Sequence, residues 1–333
     1  METHLFNINN IPLTSSLIMY NQWTIIAIKK RYHMKAMILA AGLGTRLRPL
    51  TSKKPKALVP VGNKAVIDRV IHYLMGHNIS EIIVNAHHHH QQIVNYLDGN
   101  RSFGINIKVR IEPEILGTGG GIKNVTDFWN DEPFIVMNAD IMTNIDLLKA
   151  LKVHNKNKNL ATLILHDYKP FNQILIDNRF NIVDIASEDL PDRLAFTGIH
   201  IIEPELLNYI PGEVYSNIIT CYQKLIRLGK PIRAHVSNKH YWRDIGTVSS
   251  YILANKEALK GKSFLVGQGS QIHSTAKLKD WAIIGEKNEL EEDVEIRRSI
   301  LWENVTVKKG KKVVDSIVTS SKQVRYDMIK KVF

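Results

Sequence analysis

The chain has 333 residues and a single cysteine, Cys221. One cysteine excludes an internal disulfide framework and a cysteine-rich metal site, and it fits a reducing, cytoplasmic setting. Long apolar runs are missing too: none approaches the ~20 residues that a membrane helix needs. The apolar part of residues 1–33 (Ile25, Ile26, Ala27, Ile28) lacks the positive segment that precedes it in a signal peptide. Acidic residues are in deficit, 32 against 44 Lys and Arg, for a formal charge of +12. That balance favours anionic partners. The basic residues are spread out and no nucleic-acid-binding module is present, so phosphorylated small molecules fit and nucleic acid does not. Two common phosphate-binding patterns are also absent. G-x-G-x-x-G fails at Leu47, which opposes a nicotinamide-dependent Rossmann enzyme, and there is no G-x-x-x-x-G-K-[ST].

What is present is long enough for two domains and ordinary for a globular protein, at 44% hydrophobic and 23% charged. Residues 1–33 are expected to be a peripheral extension ahead of a domain that starts at Met34. Ala36–Ala41 is an apolar run of the kind found in buried parallel strands. Gly42 and Gly44 break it, and glycine lets the backbone turn sharply and approach a ligand. Arg46, Arg48 and Lys56 follow. Bare N–H groups at a strand end beside three cations predict a polyphosphate site. The carboxyl edge of an α/β sheet is where such a site is expected.

Farther along, Val66, Ile67, Val70, Ile71 and Leu74 recur at helical spacing, and Glu81–Ala86 is a second strand. His87–His90 form a run of four, but adjacent side chains diverge, so a strand-to-helix loop is expected there in place of a metal site. Gln92–Leu97 is a short helix and Ile105–Ile111 a third strand. Thr118 is followed by three glycines, a second close backbone approach. Pro133–Asp140 is a central strand ending in a carboxylate. Asn144 and Asp146 are available to cap the next helix, which leaves Asp140 for other work. Leu160–Leu165 is a strand, Ile174–Ile185 a hairpin, Val214–Leu228 an amphipathic helix with Cys221 in its core face, and Ile232–Val236 a strand. After the linker Gly261–Ser263, Val266, Ile272, Leu278, Ile284, Leu290 and Ile296 stand six apart. Leu301, Val307 and Val313 continue the series after a one-residue slip. One buried aliphatic per hexapeptide marks a parallel β-helix. It is read as structural or as a homo-oligomer contact, with His273 as its one notable polar residue. Residues 321–333 are expected to be a loose basic tail.

Three stretches together, Gly42–Lys56 (G-x-G-x-R-x-x-P-x-T-x-x-x-P-K), Leu116–Ile122 (L-G-T-G-G-G-I) and Trp242–Thr247 (W-R-D-I-G-T), resemble the sugar-1-phosphate nucleotidyltransferases, over about residues 34–320. Asn138–Asp140 and Phe196–Ile199 match further motifs of that family. The resemblance implies an α/β, Rossmann-like nucleotidyltransferase domain over 34–260 with a mostly parallel mixed sheet. It also implies a short C-terminal left-handed parallel β-helix over 264–320. The implied reaction joins a nucleoside triphosphate to a sugar-1-phosphate with Mg2+. Arg46 and Lys56 become catalytic; Ala40, Ala41, Gly42, Gly44, Thr45 and Gly119 bind the nucleotide; Glu114 and Gly198 bind the sugar; Asp140 and Asp244 hold the metal. The same likeness puts one of His87–His90 or Gln91 near the nucleotide. The motifs look most like the mannose- or heptose-1-phosphate guanylyltransferase branch. N-acetylmuramate-1-phosphate uridylyltransferases come next, then glucose-1-phosphate thymidylyl- or uridylyltransferases. A non-catalytic scaffold relative is the alternative of another class, opposed by the presence of Arg46, Lys56, Asp140 and Asp244.

Overall fold

The apolar run after Met34 becomes β1 (Lys35–Leu39), the strand on which a nine-stranded mixed sheet is centred. The structure, a computed structural model, describes residues 34–99, 103–169, 171–212 and 214–333; the extension expected over 1–33 lies outside the described residues. A small hairpin, β2 (Pro60–Val61) and β3 (Lys64–Ala65), leads into α1 (Val66–Met75), whose periodic residues are all buried. Next come β4 (Glu81–Ala86), α2 (His90–Gly99), β5 (Asn106–Ile111) and α3 (Gly117–Lys123). Then follow β6 (Phe134–Asn138), β7 (Ile141–Thr143), α4 (Leu147–Asn157) and β8 (Ala161–His166). The hairpin β9 (Asn172–Ile176) and β10 (Ile182–Ile185) precedes β11 (Leu194–Ile202), α5 (Ile218–Arg227), β12 (Ile232–Val236), β13 (Trp242–Asp244) and α6 (Val248–Ala258).

The order β5–β4–β1–β6 is parallel throughout, and β11 then runs antiparallel against β6. Successive side chains of a strand face opposite layers. Ala36 and Ile38 therefore pack with Ile67, Ile71 and Ile93, while Met37 joins Val136, Tyr222 and Leu225 on the other side. Because β1, β4, β5 and β6 run the same way, their carboxyl ends share one edge of the sheet. No helix among the described residues is long and apolar enough to cross a membrane.

After α6 the chain winds through parallel strands: β14 (Phe264–Val266), β15 (Gln271–Ile272), β16 (Lys277–Ile284), β17 (Glu289–Leu290) and β18 (Glu295–Leu301). The series continues with β19 (Thr306–Val307), β20 (Lys312–Val314), β21 (Ile317–Val318), β22 (Gln323–Val324) and β23 (Met328–Ile329). Each hexapeptide aliphatic lies beside the one three repeats later: Val266 by Ile284, Ile284 by Leu301, Leu290 by Val307. From Ile284 onward these residues are buried together, whereas Val266 and Ile272 at the open end are 45% and 36% exposed. The loose tail expected over 321–333 is a correction: Gln323–Val324 pairs with β19 and Met328–Ile329 with β20. Its basic residues face outward while Val324 and Met328 extend the apolar column, which is why charge alone misread it.

Candidate active site

A cleft of about 560 Å3 opens at the shared carboxyl edge. Leu39, the last residue of β1, borders it, and the turn Ala40–Gly44 forms its floor. The Ala40 N–H donates to Asn85 Oδ1 (2.8 Å), and Asn85 Nδ2 donates to Glu112 Oε1 (2.7 Å). Glu112 Oε2 accepts from the Leu116 N–H (3.2 Å). These bonds tie together the ends of β1, β4 and β5, so the turn is held by polar groups that are themselves buried. Gly44 has a left-handed φ of 64°, and a Cβ there would stand 3.0 Å from Thr51 Cγ2 and 3.2 Å from Lys56 Cβ. Thr51 Oγ1 donates to the Gly44 carbonyl (2.8 Å), closing the loop over itself. Thr45, Arg46 and Lys56 line the cleft beside the turn.

Asp140, just beyond β6, pairs with Lys56 Nζ. The ribbon β7–β13 brings Asp244 opposite Ile141, and the Ile245 N–H donates to the Asp140 carbonyl (3.0 Å). Two aspartates a hundred residues apart in sequence are thus neighbours. Burial pushes the Asp244 carboxyl above its ordinary value, and the Asp140 charge adds to this, against Lys56 and Arg46. Asp244 Oδ1 is buried and has no hydrogen-bond partner among the described residues. A buried, unpaired carboxylate oxygen beside a second carboxylate is the donor set a hard divalent cation takes, so these residues fit Mg2+. Neither aspartate is spent on capping. Asp146 caps α4 through the Lys149 N–H, and Thr247 caps α6 in a capping box with Ser250.

Three of the expected site residues do not line the cleft. Glu114 is exposed and off the cleft, because Pro113 turns the chain out after β5; Glu112 lines it instead. Gly198 lies behind the wall: with φ +74°, its missing Cβ makes room for Asn138, whose Nδ2 would otherwise be 2.6 Å away. Gly119 gives its N–H to the Ser216 carbonyl (2.8 Å), and a Cβ there would meet Ser216 Oγ at 2.7 Å. Gly117 and Thr118, immediately before it in the chain, line the cleft. The glycines are the first turns of α3 itself, packed against the segment before α5. That helix begins at Ile218 with Asn217 as cap, so residues 214–217 are freed as a wall, with Tyr215 68% exposed at the rim. Sequence reasoning missed Asn85, Tyr215 and Asn217, and it matched Asn138 to a motif without giving it a role. Asn85 and Asn138 had a signal, a lone amide closing an apolar strand.

In the histidine run, His87 Nδ1 bonds the Glu112 carbonyl (2.8 Å), His90 Nδ1 the His87 carbonyl (3.0 Å) and His89 Nε2 the Ser52 carbonyl (3.3 Å). These histidines and Gln91 are outside the cleft lining.

Residues 35–261 match the nucleotidyl transferase family. The chain belongs to that family. A UTP–glucose-1-phosphate uridylyltransferase of Synechocystis sp. is 33% identical over 239 residues, 66% of this chain and 61% of the relative, so the chain spans under two thirds of that protein's length. A mannose-1-phosphate guanylyltransferase of Mycobacterium tuberculosis is 25% identical over 296 residues, 84% of this chain and 82% of the relative, which carries the likeness into the strand stack. Among solved structures, HddC from Yersinia pseudotuberculosis in complex with GMP-PN superposes with a TM-score of 0.60 at 24% identity, over 67% of this chain and 99% of that one. That superposition speaks for the fold of this nucleotidyl transferase chain, and the cleft lies within the matched family region.

Proposed function

We propose that the chain joins a sugar-1-phosphate to a nucleoside triphosphate, releasing pyrophosphate, with a GDP-sugar of the GDP-mannose type as product. The observation that carries this reading is the convergence of Arg46, Lys56, Asp140 and Asp244 beside one glycine turn. An oxygen of the sugar phosphate attacks the α-phosphorus, and the bond to the β-phosphate breaks. Both reactants are anions, so alignment and charge neutralisation supply most of the acceleration. Main chain at Ala40–Gly44 seats the nucleotide. Arg46 lies over the β- and γ-phosphates, and Lys56 bridges the α-phosphate and the incoming phosphate. Asp140 and Asp244 would hold Mg2+, whose charge offsets that of the phosphates when bound. Asn138, given its place by Gly198, faces the sugar side. No side-chain nucleophile is needed.

The choice of guanine rests on Glu112. An ionised carboxylate only accepts hydrogen bonds and has room for more than the two it makes. Guanine presents an amino donor where uracil presents a carbonyl. The Mycobacterium relative supports the same choice, while the Synechocystis relative supports a uridylyltransferase as the second reading. The strand stack is read as a short left-handed parallel β-helix. The deciding experiment is a matrix of nucleoside triphosphates against sugar-1-phosphates with Mg2+, scored by pyrophosphate release. GTP with mannose-1-phosphate is expected to lead; UTP with glucose-1-phosphate in the lead overturns the guanine assignment, and silence throughout overturns the enzyme.

A further inference from the structure

Lys54 lies two residues before Lys56, and its ammonium reaches the strand stack. Lys54 Nζ pairs with Glu303 Oε1 at 2.8 Å and stands 5.3 Å from the centre of the Trp302 ring. Glu303 Oε1 also accepts from Ser320 Oγ (2.6 Å), one rung farther along the stack. Burial opposes ionisation of Glu303, yet the bonds from Lys54 and Ser320 outweigh it and keep the carboxyl below its ordinary range. On the other side of Lys56, Trp302 Nε1 donates to the Tyr251 hydroxyl (2.8 Å), which in turn donates to the Pro60 carbonyl (2.8 Å). Two consecutive stack residues therefore grip the chain at positions 54 and 60, with Lys56 between. Leu47 and Leu50, on the underside of the same loop, pack in one cluster with Trp302, which is 3% exposed.

We infer that Trp302 and Glu303 are positioning residues for the phosphate loop, so that the stack builds the cleft from below. An ordinary packing role would need only the apolar contact. A charged tether at Lys54, paired through a carboxylate that Ser320 orients, instead fixes where the segment carrying Lys56 sits relative to Asp140. Its consequence for turnover rests on the proposed reaction; its consequence for loop order does not.

The test compares Lys54→Gln, Glu303→Gln, Lys54→Arg and the charge-reversed pair Lys54→Glu with Glu303→Lys, all in the full chain. Hydrogen exchange over amides 45–56 is read against those of β1. Loss of one charge-assisted hydrogen bond is expected to speed exchange in that loop about tenfold, and to lower kcat/KM for the active substrate pair by about the same factor. The reversed pair and Lys54→Arg are expected to return both readouts toward the parent. If the reversed chain does not fold, Lys54→Arg carries the rescue. Unchanged loop exchange in Glu303→Gln, exchange that neither rescue restores, or faster exchange with unaltered kcat/KM each overturns the inference. A parent without turnover on any pair would overturn the proposed function instead, and the exchange readout would still decide whether the stack holds the loop.

Discussion

An ammonium bonded to a carboxylate inside the proposed phosphate cleft would exchange that partner for an incoming anion. Lys56 is kept in place by Asp140, and its charge partly offsets the effect of Asp140 on Asp244. Removing either member leaves the other charge half-buried and misdirected. Lys56→Ala and Asp140→Asn are each expected to lower turnover about a hundredfold or more, as the loss of single charge stabilisers does; pyrophosphate release at saturating substrates measures it, and undiminished release from Lys56→Ala would remove the assignment. Glu112 is the group proposed to set selectivity. Glu112→Gln replaces an acceptor-only group by an amide that also donates, and the ratio of kcat/KM for GTP over UTP is expected to fall about tenfold or more. At this scale the sequence shows the charges well, because Arg46, Lys56, Asp140 and Asp244 stand in distinctive strings. It hides Asn85 and Glu112, whose importance comes from lying side by side on strands that only the fold makes adjacent.

Strand β11 and the segment before helix α5 support the residues that line the cleft. Gly198 is a position where the backbone and the neighbour both demand glycine, with φ +74° and Asn138 in the path of any Cβ. Gly198→Ala is expected to cost about 1–2 kcal/mol in urea unfolding and, by displacing Asn138, to raise KM for the sugar-1-phosphate more than that for the nucleotide. Two residues on, His200 is bonded to the Tyr222 hydroxyl of α5 in full burial, which pushes the imidazole down to about 3 from 6.5. The folded protein keeps this histidine neutral, while the unfolded chain protonates it below 6.5. Stability is therefore whole above that pH and declines as pH falls from 6.5 toward 3, by about 2 kcal/mol at pH 5. Unfolding free energies from urea titrations at pH 7 and pH 5 should differ less in His200→Gln than in the parent by about that amount. Elements of this kind were largely legible, since α1, β4, β6 and β8 follow from apolar spacing. Helix α3 was not: glycine disfavours helices, and only its close approach to Ser216 at Gly119 and to the Val214 carbonyl at Gly120 makes glycine necessary there.

The nine-stranded sheet and the strand stack are bound by one apolar cluster in which Leu47, Val59 and Ile245 meet Ile283, Ile300 and Trp302. The hexapeptide period announces the stack without revealing this, because the period reports the residues that point inward and the contact uses those beside them. Ile283 and Ile300 flank the repeat residues Ile284 and Leu301 and face the other way. The period also treats all its members as equal, and the fold does not. Ile284 is 0% exposed, between Val266 on one rung and Leu301 on the next, whereas Ile272, 36% exposed, has a strand neighbour on one side only among the described residues. The same substitution should then have two outcomes. Ile284→Ala opens a cavity in a closed column and is expected to cost about 2–5 kcal/mol. Ile272→Ala removes a half-wet side chain at the end of the stack and should stay within about 1 kcal/mol. Because loop residues 47 and 50 rest on the same stack, the loss from Ile284→Ala should appear as a lower urea midpoint for the whole described body, followed equally by far-UV circular dichroism and by exposure of Cys221 in α5 to a thiol reagent. A stack that melted ahead of α5 would show the two halves to be held far more loosely than their shared cluster requires.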